Sequence, residues 1–203
     1  MILYGAPNPA PNPRRVRIFL AEKGIELPET PVNLMKREHK SPEHRARNSL
    51  GQVPTLVLDD GTAISETVAI CRYFEETADG PALFGTTPVE KALVEMWIRR
   101  VEFVLMQPVG AFWRHAHPRT AALLTQYKDF GEANRETYAG ALKWLDRELA
   151  DNPFIAGEAY SMADICALTT VDFADWIGLP VGAEFGRVDA WRRRVSARPS
   201  AAA

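Results

Sequence analysis

Apolar positions fall into two textures along the chain. Up to residue 78 short apolar runs alternate with helical patterns, and after residue 86 only helical spacings remain. Ile2-Leu3-Tyr4, closed by Gly5, predicts a buried strand. Residues 14–23 set Val16, Phe19 and Leu20 on one face and end at Gly24, which predicts a helix. "LPETPVNL" predicts a second strand weakened by Pro28 and Pro31. "SPEHRARN" predicts a short polar helix with Ser41 as N-cap and Pro42 at its first position. "TLVLDDGTAI" flanks Asp59-Asp60-Gly61 with two apolar runs and predicts a hairpin. A helix is expected from Ser65 to about Thr77, with Ile70, Tyr73, Phe74 and Thr77 at helical spacing. Residues 1–78 therefore read β-α-β-α-β-β-α, a mixed four-stranded sheet covered by helices.

"ADGPALFGT" interrupts this pattern with glycine and proline and no period, so residues 79–86 are expected to be a linker. Residues 87–203 then read as an all-α domain. "TPVE" is a capping box from Thr87 to Glu90 with Pro88 at the first helical position. Its helix is expected to run to about Met106 and stop at Pro108. A second helix is expected from about Arg119 to Leu149, with Leu123, Leu124, Tyr127, Phe130, Tyr138, Leu142 and Leu145 on its apolar positions. "SMAD", Ser161 to Asp164, is another capping box and opens a strongly apolar helix expected at the domain's centre. A last helix is expected over about Glu184 to Val195. No internal repeat or low-complexity tract is visible.

Composition narrows the classes. The chain has 203 residues, enough for one large domain or two small ones, and its 46% hydrophobic content supports a packed core. A net charge of -2 gives no footing for a nucleic-acid partner, and Arg192-Arg193-Arg194 reads as the basic end of a helix. No 18-residue apolar run predicts a membrane span, and "MILYGAPNP" lacks the layout of a signal peptide. Cys71 and Cys166 sit in apolar helical patterns and read as buried thiols rather than a disulfide or redox pair, which places the protein in a reducing cytoplasm. The four histidines show no metal-ligand spacing; His115 and His117 read as a helix end and loop before Pro118.

Three stretches carry candidate chemistry. Val53-Pro54 stands at a strand entrance, where local sequence favours a trans bond because only about 5–6% of X–Pro bonds are cis. Ser65-Glu66-Thr67 opens a helix. It is either a simple cap by Ser65 or a grip on an α-amino acid, with Glu66 on the ammonium and Thr67 and the helix end on the carboxylate. "APNPAPNPRRV" puts four prolines in residues 6–13 before a basic helix. Asn12 reads as N-cap and Pro13 as the first helical residue. Arg14, Arg15 and Arg17 either make the helix start electropositive, which favours a thiolate, or are ordinary surface arginines.

The order of these segments resembles the soluble glutathione transferases over nearly the whole chain, bacterial in type. "RRVRIFLAEKGI", "NSLGQVPTLVLDDGTAISETVAICRYFEE" and "FIAGEAYSMADICA" are similar to that family's first helix, glutathione-site segment and buried capping-box helix. The resemblance implies a thioredoxin-like N-terminal domain, an all-α C-terminal domain, a cytoplasmic homodimer and a role in detoxification. It implies glutathione as co-substrate, with no cofactor and no metal. Val53 would offer backbone bonds to the cysteinyl part before a cis Pro54. Glu66 and Thr67 would hold the γ-glutamyl end, and His39 or Lys40, with Gln52 where relatives often carry lysine, the glycyl carboxylate. At the usual Ser or Cys position stands Ala10, and Tyr4 reads as core. A nu-like branch of the family uses an asparagine at the position of Asn12, which implies that Asn12 activates the thiol.

The thiolate would attack a small hydrophobic electrophile held by Arg100, Phe103, Met106 and Trp113, on and after the helix of Trp97; each aromatic is otherwise plain core. The expected activity is glutathione transfer, with a glutathione-dependent disulfide reductase or peroxidase and a non-catalytic glutathione-binding or interaction module as alternatives. Glu43 to Gln52 contains no aromatic residue, so the homodimer is expected to lack an aromatic plug.

Overall fold

The computed structural model describes residues 1–203. They form two compact units, residues 1–83 together with 200–203, and residues 84–199. The division falls inside the stretch expected as a linker, where Leu83 and Phe84 are buried.

The first unit runs β1 (Ile2–Gly5), α1 (Pro11–Lys23), β2 (Glu29–Pro31), a 3₁₀ turn (Glu38–Lys40), α2 (Pro42–Arg47), β3 (Thr55–Val57), β4 (Ala63–Ser65) and α3 (Thr67–Thr77). The sheet order is β2-β1-β3-β4, with β1 parallel to β2 and antiparallel to β3, and β3 antiparallel to β4. The prolines of "LPETPVNL" are tolerated because β2 is an edge strand, where a missing N–H costs no ladder bond. Leu3 and Leu56 pair across the sheet and are buried with Val16, Phe19 and Leu20 of α1 and Ile70, Cys71 and Phe74 of α3. Each such side chain contributes about 1.5–3 kcal/mol of burial. A buried ion pair, Lys23 to Glu75 at 2.7 Å, ties α1 to α3.

The start of α1 differs from expectation. Asn12 is not the N-cap; Ala10 is, and Pro11 rather than Pro13 is the first helical residue. The first closing bond runs from Arg14 N to Ala10 O at 3.4 Å. Both prolines fall within the first turn, whose N–H groups have no intrahelical partner, so neither breaks the helix. Gly24 ends it in the left-handed region at φ 66.

The second unit contains α4 (Pro88–Arg100), a π-helical turn (Val101–Met106), α5 (Gln107–His115), a 3₁₀ turn (Pro118–Thr120), α6 (Lys128–Glu148), α7 (Met162–Trp176), α8 (Gly186–Ser196) and a final 3₁₀ turn (Pro199–Ala202) that passes into the first unit. The expected stop at Pro108 does not occur: α4, the π turn and α5 follow without a break, and Pro108 falls in the first turn of α5. The helix expected from Arg119 begins only at Lys128. Residues 116–126 are instead a turn in which Thr120 Oγ1 donates to Trp113 O at 2.6 Å, and Gln126 Nε2 donates to His117 O at 2.9 Å. These side chains satisfy carbonyls at the end of α5. At Gly131 a Cβ would lie 2.6 Å from Ala116 N, so α6 meets that end closely. The last helix begins at Gly186, where Asp146 of α6 accepts from Arg187 N at 2.8 Å and Val188 N at 3.1 Å.

Both capping boxes are formed. In the first, bonds from Thr86 and Thr87 hold the Glu90 carboxyl down to about 2. In the second, Asp164 is fully buried and accepts four bonds, from Ile155 N (2.9 Å), Ser161 N (3.0 Å), Ser161 Oγ (3.1 Å) and Trp191 Nε1 (2.8 Å).

Burial pushes the Asp164 carboxyl up to about 6 against these donors. The folded group thus keeps its proton to higher pH than the unfolded one. Its contribution to stability is full below about pH 4 and is lost as pH rises through about 6. Asp164→Asn removes the titration. Urea unfolding from about pH 4 to pH 7 is expected to shift the stability difference between the two proteins against the wild type, by on the order of 2–3 kcal/mol. A pH-independent difference would show that the carboxyl stays ionised. Asp164→Ala leaves the donors unpaired and is expected to cost about 2–5 kcal/mol.

Candidate functional site

Three strand ends define the site in the first unit. Tyr4, Thr55 and Ser65 stand opposite one another in the pairing of β1, β3 and β4. One step further along, Gly5, Pro54 and Glu66 form the next row at the same end of the sheet. At about 4.8 Å per strand spacing, the row spans about 10 Å.

Gly5 leaves its end of the row open to the Glu29 side chain. A Cβ there would lie 2.1 Å from Glu29 Oε1 and 3.5 Å from the Pro13 Cβ. Tyr4 alternates to the other face, where the Arg47 guanidinium lies 4.3 Å from its ring centre and His44 meets its edge. It is a packing residue on the side of α2.

The loop before α1 is tied down by Arg17. Its Nη1 donates to Ala6 O and Glu29 Oε1, each at 3.1 Å, and its Nη2 to Asn8 Oδ1 at 2.6 Å. Arg14 Nη2 donates to Ala201 O at 2.9 Å, and Arg15 is buried. The three arginines are therefore neither idle surface charges nor a free electropositive rim; Arg17 is neutralised by Glu29. The donors of the helix start are few. Pro11 and Pro13 have no N–H, and Ala10 N already donates to Pro7 O at 3.2 Å. What this end of the helix offers an anion is concentrated in Asn12, through its backbone N–H and its half-buried side chain.

The middle of the row is held by a knot absent from the sequence-based expectations. The Gln52 carbonyl accepts from His44 Nε2 at 2.8 Å, Asn48 Nδ2 at 3.1 Å and Thr55 Oγ1 at 3.3 Å. Gly51, at φ 57, lies so close to His39 that a Cβ would sit 2.6 Å from its carbonyl. These bonds fix the backbone directly before Val53, and the Val53–Pro54 bond is cis, as the family resemblance and not the local sequence indicated. The available signal was the pair His44 and Asn48, the one on α2 and the other the residue that ends it. Lys40 Nζ donates to Leu50 O at 3.0 Å and Gly51 O at 2.6 Å, so its charge braces the same loop. His39 has a buried Nδ1 without a hydrogen-bond partner, and burial, with Lys40, His44 and Arg37 nearby, lowers its pKa. It is uncharged at neutral pH. The Gln52 side chain is exposed.

At the far end, Ser65 belongs to β4 and does not cap the helix expected to start there. Glu66 is the N-cap, with no side-chain capping bond, and α3 starts at Thr67. The Glu66 backbone takes φ 68 and ψ 123. That combination lies outside the left-handed helical region and costs a residue with a Cβ about 1–3 kcal/mol. The turn leaves the Glu66 carboxylate exposed beside the buried Thr67.

The four second-unit candidates do not converge. Arg100 lies over Trp97 at 4.8 Å, and Trp97 stacks on Trp144. Phe103 is 64% exposed. Met106 Sδ accepts from Thr170 Oγ1 at 3.6 Å. Trp113 is 13 positions beyond Arg100, about 20 Å along a helical path. It sits among His117 (4.7 Å), Phe173 (5.4 Å) and Trp176 (5.7 Å), an aromatic cluster of which only Trp113 was expected. The i, i+3 pair Phe173 and Trp176 was its signal in the sequence. No group of three or more His, Cys, Asp or Glu is placed to hold a metal ion.

Comparison with known proteins gives a consistent answer. Residues 10–77 match the family model for the glutathione S-transferase N-terminal domain and residues 105–199 that for the C-terminal domain. Glutathione S-transferase 2 of Saccharomyces cerevisiae is 39% identical, covering 98% of this chain and 87% of its own. The crystal structure of a glutathione S-transferase domain-containing protein from Marinobacter aquaeolei superposes with a TM-score of 0.92 at 38% identity, covering 98% of this chain and 99% of the other. Gtt2 from Saccharomyces cerevisiae superposes with a TM-score of 0.92 at 38% identity, covering 98% of each chain.

The strain at Glu66 has a measurable consequence. Glu66→Gly relieves it at the expense of added unfolded-state entropy, about 0.5–1 kcal/mol. Its melting temperature is expected to equal or exceed that of the wild type by up to a few degrees. A clear fall would mean that the Glu66 side chain holds the fold.

Proposed function

The chain belongs to the glutathione S-transferase family and is a glutathione transferase, and from that premise we propose how its first unit takes the tripeptide and which group prepares the thiol. Glutathione lies along the row of strand ends. Glu66 meets the γ-glutamyl ammonium, and Thr67 with the start of α3 meets its carboxylate. The Val53 backbone pairs with the cysteinyl residue, while Gln52, Lys40 and His39 serve the glycyl end. Lys40 supplies the charge there and His39 a neutral imidazole. The cysteinyl sulfur reaches the start of α1.

Asn12 then stabilises the thiolate. The carrying observation is that the two prolines leave Asn12 as the main donor of that helix end. A free thiol has a pKa of about 8.5, and lowering it by about two units takes roughly 2.7 kcal/mol of preferential binding to the anion. Hydrogen bonds to a charged group, at about 1.5–3 kcal/mol each, supply this without a side-chain hydroxyl, and the helix end adds roughly 0.3–1 kcal/mol. Ala10, as N-cap, contributes no donor from its side chain. The second substrate is a small hydrophobic electrophile, for which Trp113 and the exposed Trp176, backed by the buried Phe173, offer the aromatic surface of the second unit. A reducing compartment such as the cytoplasm fits Cys71 and Cys166, which are buried and outside any disulfide.

We place Phe103 in a subunit interface. Val89, Leu93, Phe103 and Val104 are exposed along α4 and the π turn at spacings that fall on one stripe. In the segment Glu43 to Gln52 the exposed apolar residue is Leu50, not an aromatic, so the homodimer associates without a ring as plug.

Three measurements check these readings. Ultraviolet titration of bound glutathione is expected to give a thiol pKa higher in Asn12→Ala by about one unit, or about 1.4 kcal/mol, with turnover reduced accordingly. Calorimetry is expected to show a loss of glutathione affinity well beyond twofold in Glu66→Ala; an unchanged thiol pKa or an unchanged affinity removes the residue concerned from the site. Light scattering at micromolar concentration is expected to give a dimer mass, and Phe103→Glu a monomer mass. A monomeric wild type overturns the interface.

A further inference from the structure

Residues 200–203 follow the second unit in sequence yet belong to the first. They grip α1 and the loop before it. Ala201 O accepts from Arg14 Nη2 at 2.9 Å, Ser200 Oγ bonds the Glu22 carboxylate, and Ala203 O accepts from Asn8 Nδ2 at 3.4 Å. Ser200 and Ala201 are both buried. Arg14 and Glu22 are eight residues apart, so they fall on one face of α1. Asn8 is gripped twice, since its Oδ1 also accepts from Arg17.

The grip falls where α1 is least able to hold itself. Pro11 and Pro13 stiffen the first turn but give it no N–H, and its first backbone bond, Arg14 N to Ala10 O, is long at 3.4 Å. Arg14 is two residues past Asn12, within the same turn. Side-chain ties made from outside the helix therefore reach the turn that carries Asn12.

We propose that the turn of residues 200–203 is a positioning element for the thiolate site: through Arg14 and Asn8 it sets the first turn of α1 and with it the donors of Asn12. The inference rests on the reading of Asn12 given above. Arg14 is a positioning residue that acts through Asn12 and does not touch the sulfur.

The test approaches the contact from both sides in the whole protein. Arg14→Met removes the donor to Ala201 O, Ser200→Ala removes the separate bond to Glu22, and deletion of residues 200–203 removes the turn. Each variant is titrated for the bound glutathione thiolate by ultraviolet absorption, and kcat is measured across pH. Arg14→Met and the deletion are expected to raise the bound thiol pKa by about half a unit or more. Turnover is expected to fall about threefold near pH 6.5 and to recover near pH 9, where the thiolate forms unaided. Arg14→Lys, which keeps a donor for Ala201 O, is expected to lie between Arg14→Met and the wild type.

A merely structural contact would lower turnover by the same factor at every pH and leave the thiol pKa unchanged, and that result overturns the proposal. Should the deletion prevent folding, Arg14→Met decides. If Asn12→Ala raises the thiol pKa while Arg14→Met leaves it alone, only the positioning role fails. If Asn12→Ala leaves it alone, the underlying reading fails and this one with it.

Discussion

The Gln52 carbonyl oxygen, held by His44, Asn48 and Thr55, is the constraint on which the glutathione side of the molecule depends. A carbonyl with three donors on it has no freedom to rotate, and it fixes the peptide that leads into Val53. The donors come from α2, the loop after it and the start of β3, so the short helix and the sheet are locked to each other at that atom. The close approach at Gly51 and the Lys40 bonds to Leu50 O and Gly51 O tighten the same loop. Most of the polar groups in this segment are occupied in shaping it, and few remain for a ligand. That division between shaping and binding is what an active-site loop requires if it is to be rigid before the substrate arrives.

Strand register turns that rigidity into a site. Because Tyr4, Thr55 and Ser65 are in line, the segments that leave the sheet after Gly5, before Thr55 and after Ser65 depart from a common edge. Each departure carries a local anomaly: a glycine against the Glu29 carboxylate, a cis peptide, and a glutamate at positive φ. Backbone strain at Glu66 with an exposed carboxylate is costly for a residue whose only task is to start a helix. It is intelligible if the carboxylate must face a ligand's ammonium. At the other end of the row Pro11 and Pro13 leave Asn12 as the backbone donor of the first turn of α1.

The second unit obeys a separate logic. Its central helix, α7, is buried along nearly its whole length, and its start is secured by Asp164, whose carboxylate satisfies donors from three segments. Burial works against the charge and the four hydrogen bonds work for it, so the group is stable only while all of its partners stay in place. Further along the same helix Phe173 and Trp176 gather Trp113 and His117, so the element that carries the core also carries the aromatic surface.

The sequence by itself determined what depends on neighbours a few residues away. Strand-forming runs, both capping boxes, the Asp59-Asp60-Gly61 hairpin and the Gly24 stop are all local, and each was legible. So was the order of segments, which carried the family resemblance and through it the cis Pro54, against the local odds. Tertiary structure alone decided the rest. Asn12 passed from cap to second helical residue because the helix closes its first bond on Ala10 O, two residues before the expected cap. Pro108 did not stop the helix: it directly follows a π turn, and the helical path runs on through it to His115. The basic run at residues 14–17 became a set of tethers only because residues far away in sequence, Glu29 and Ala201, supply the acceptors. The candidates from Arg100 to Trp113 share a helical path but not a place. Spacing along a helix fixes the face a residue occupies, while its partners across the fold decide what that face meets.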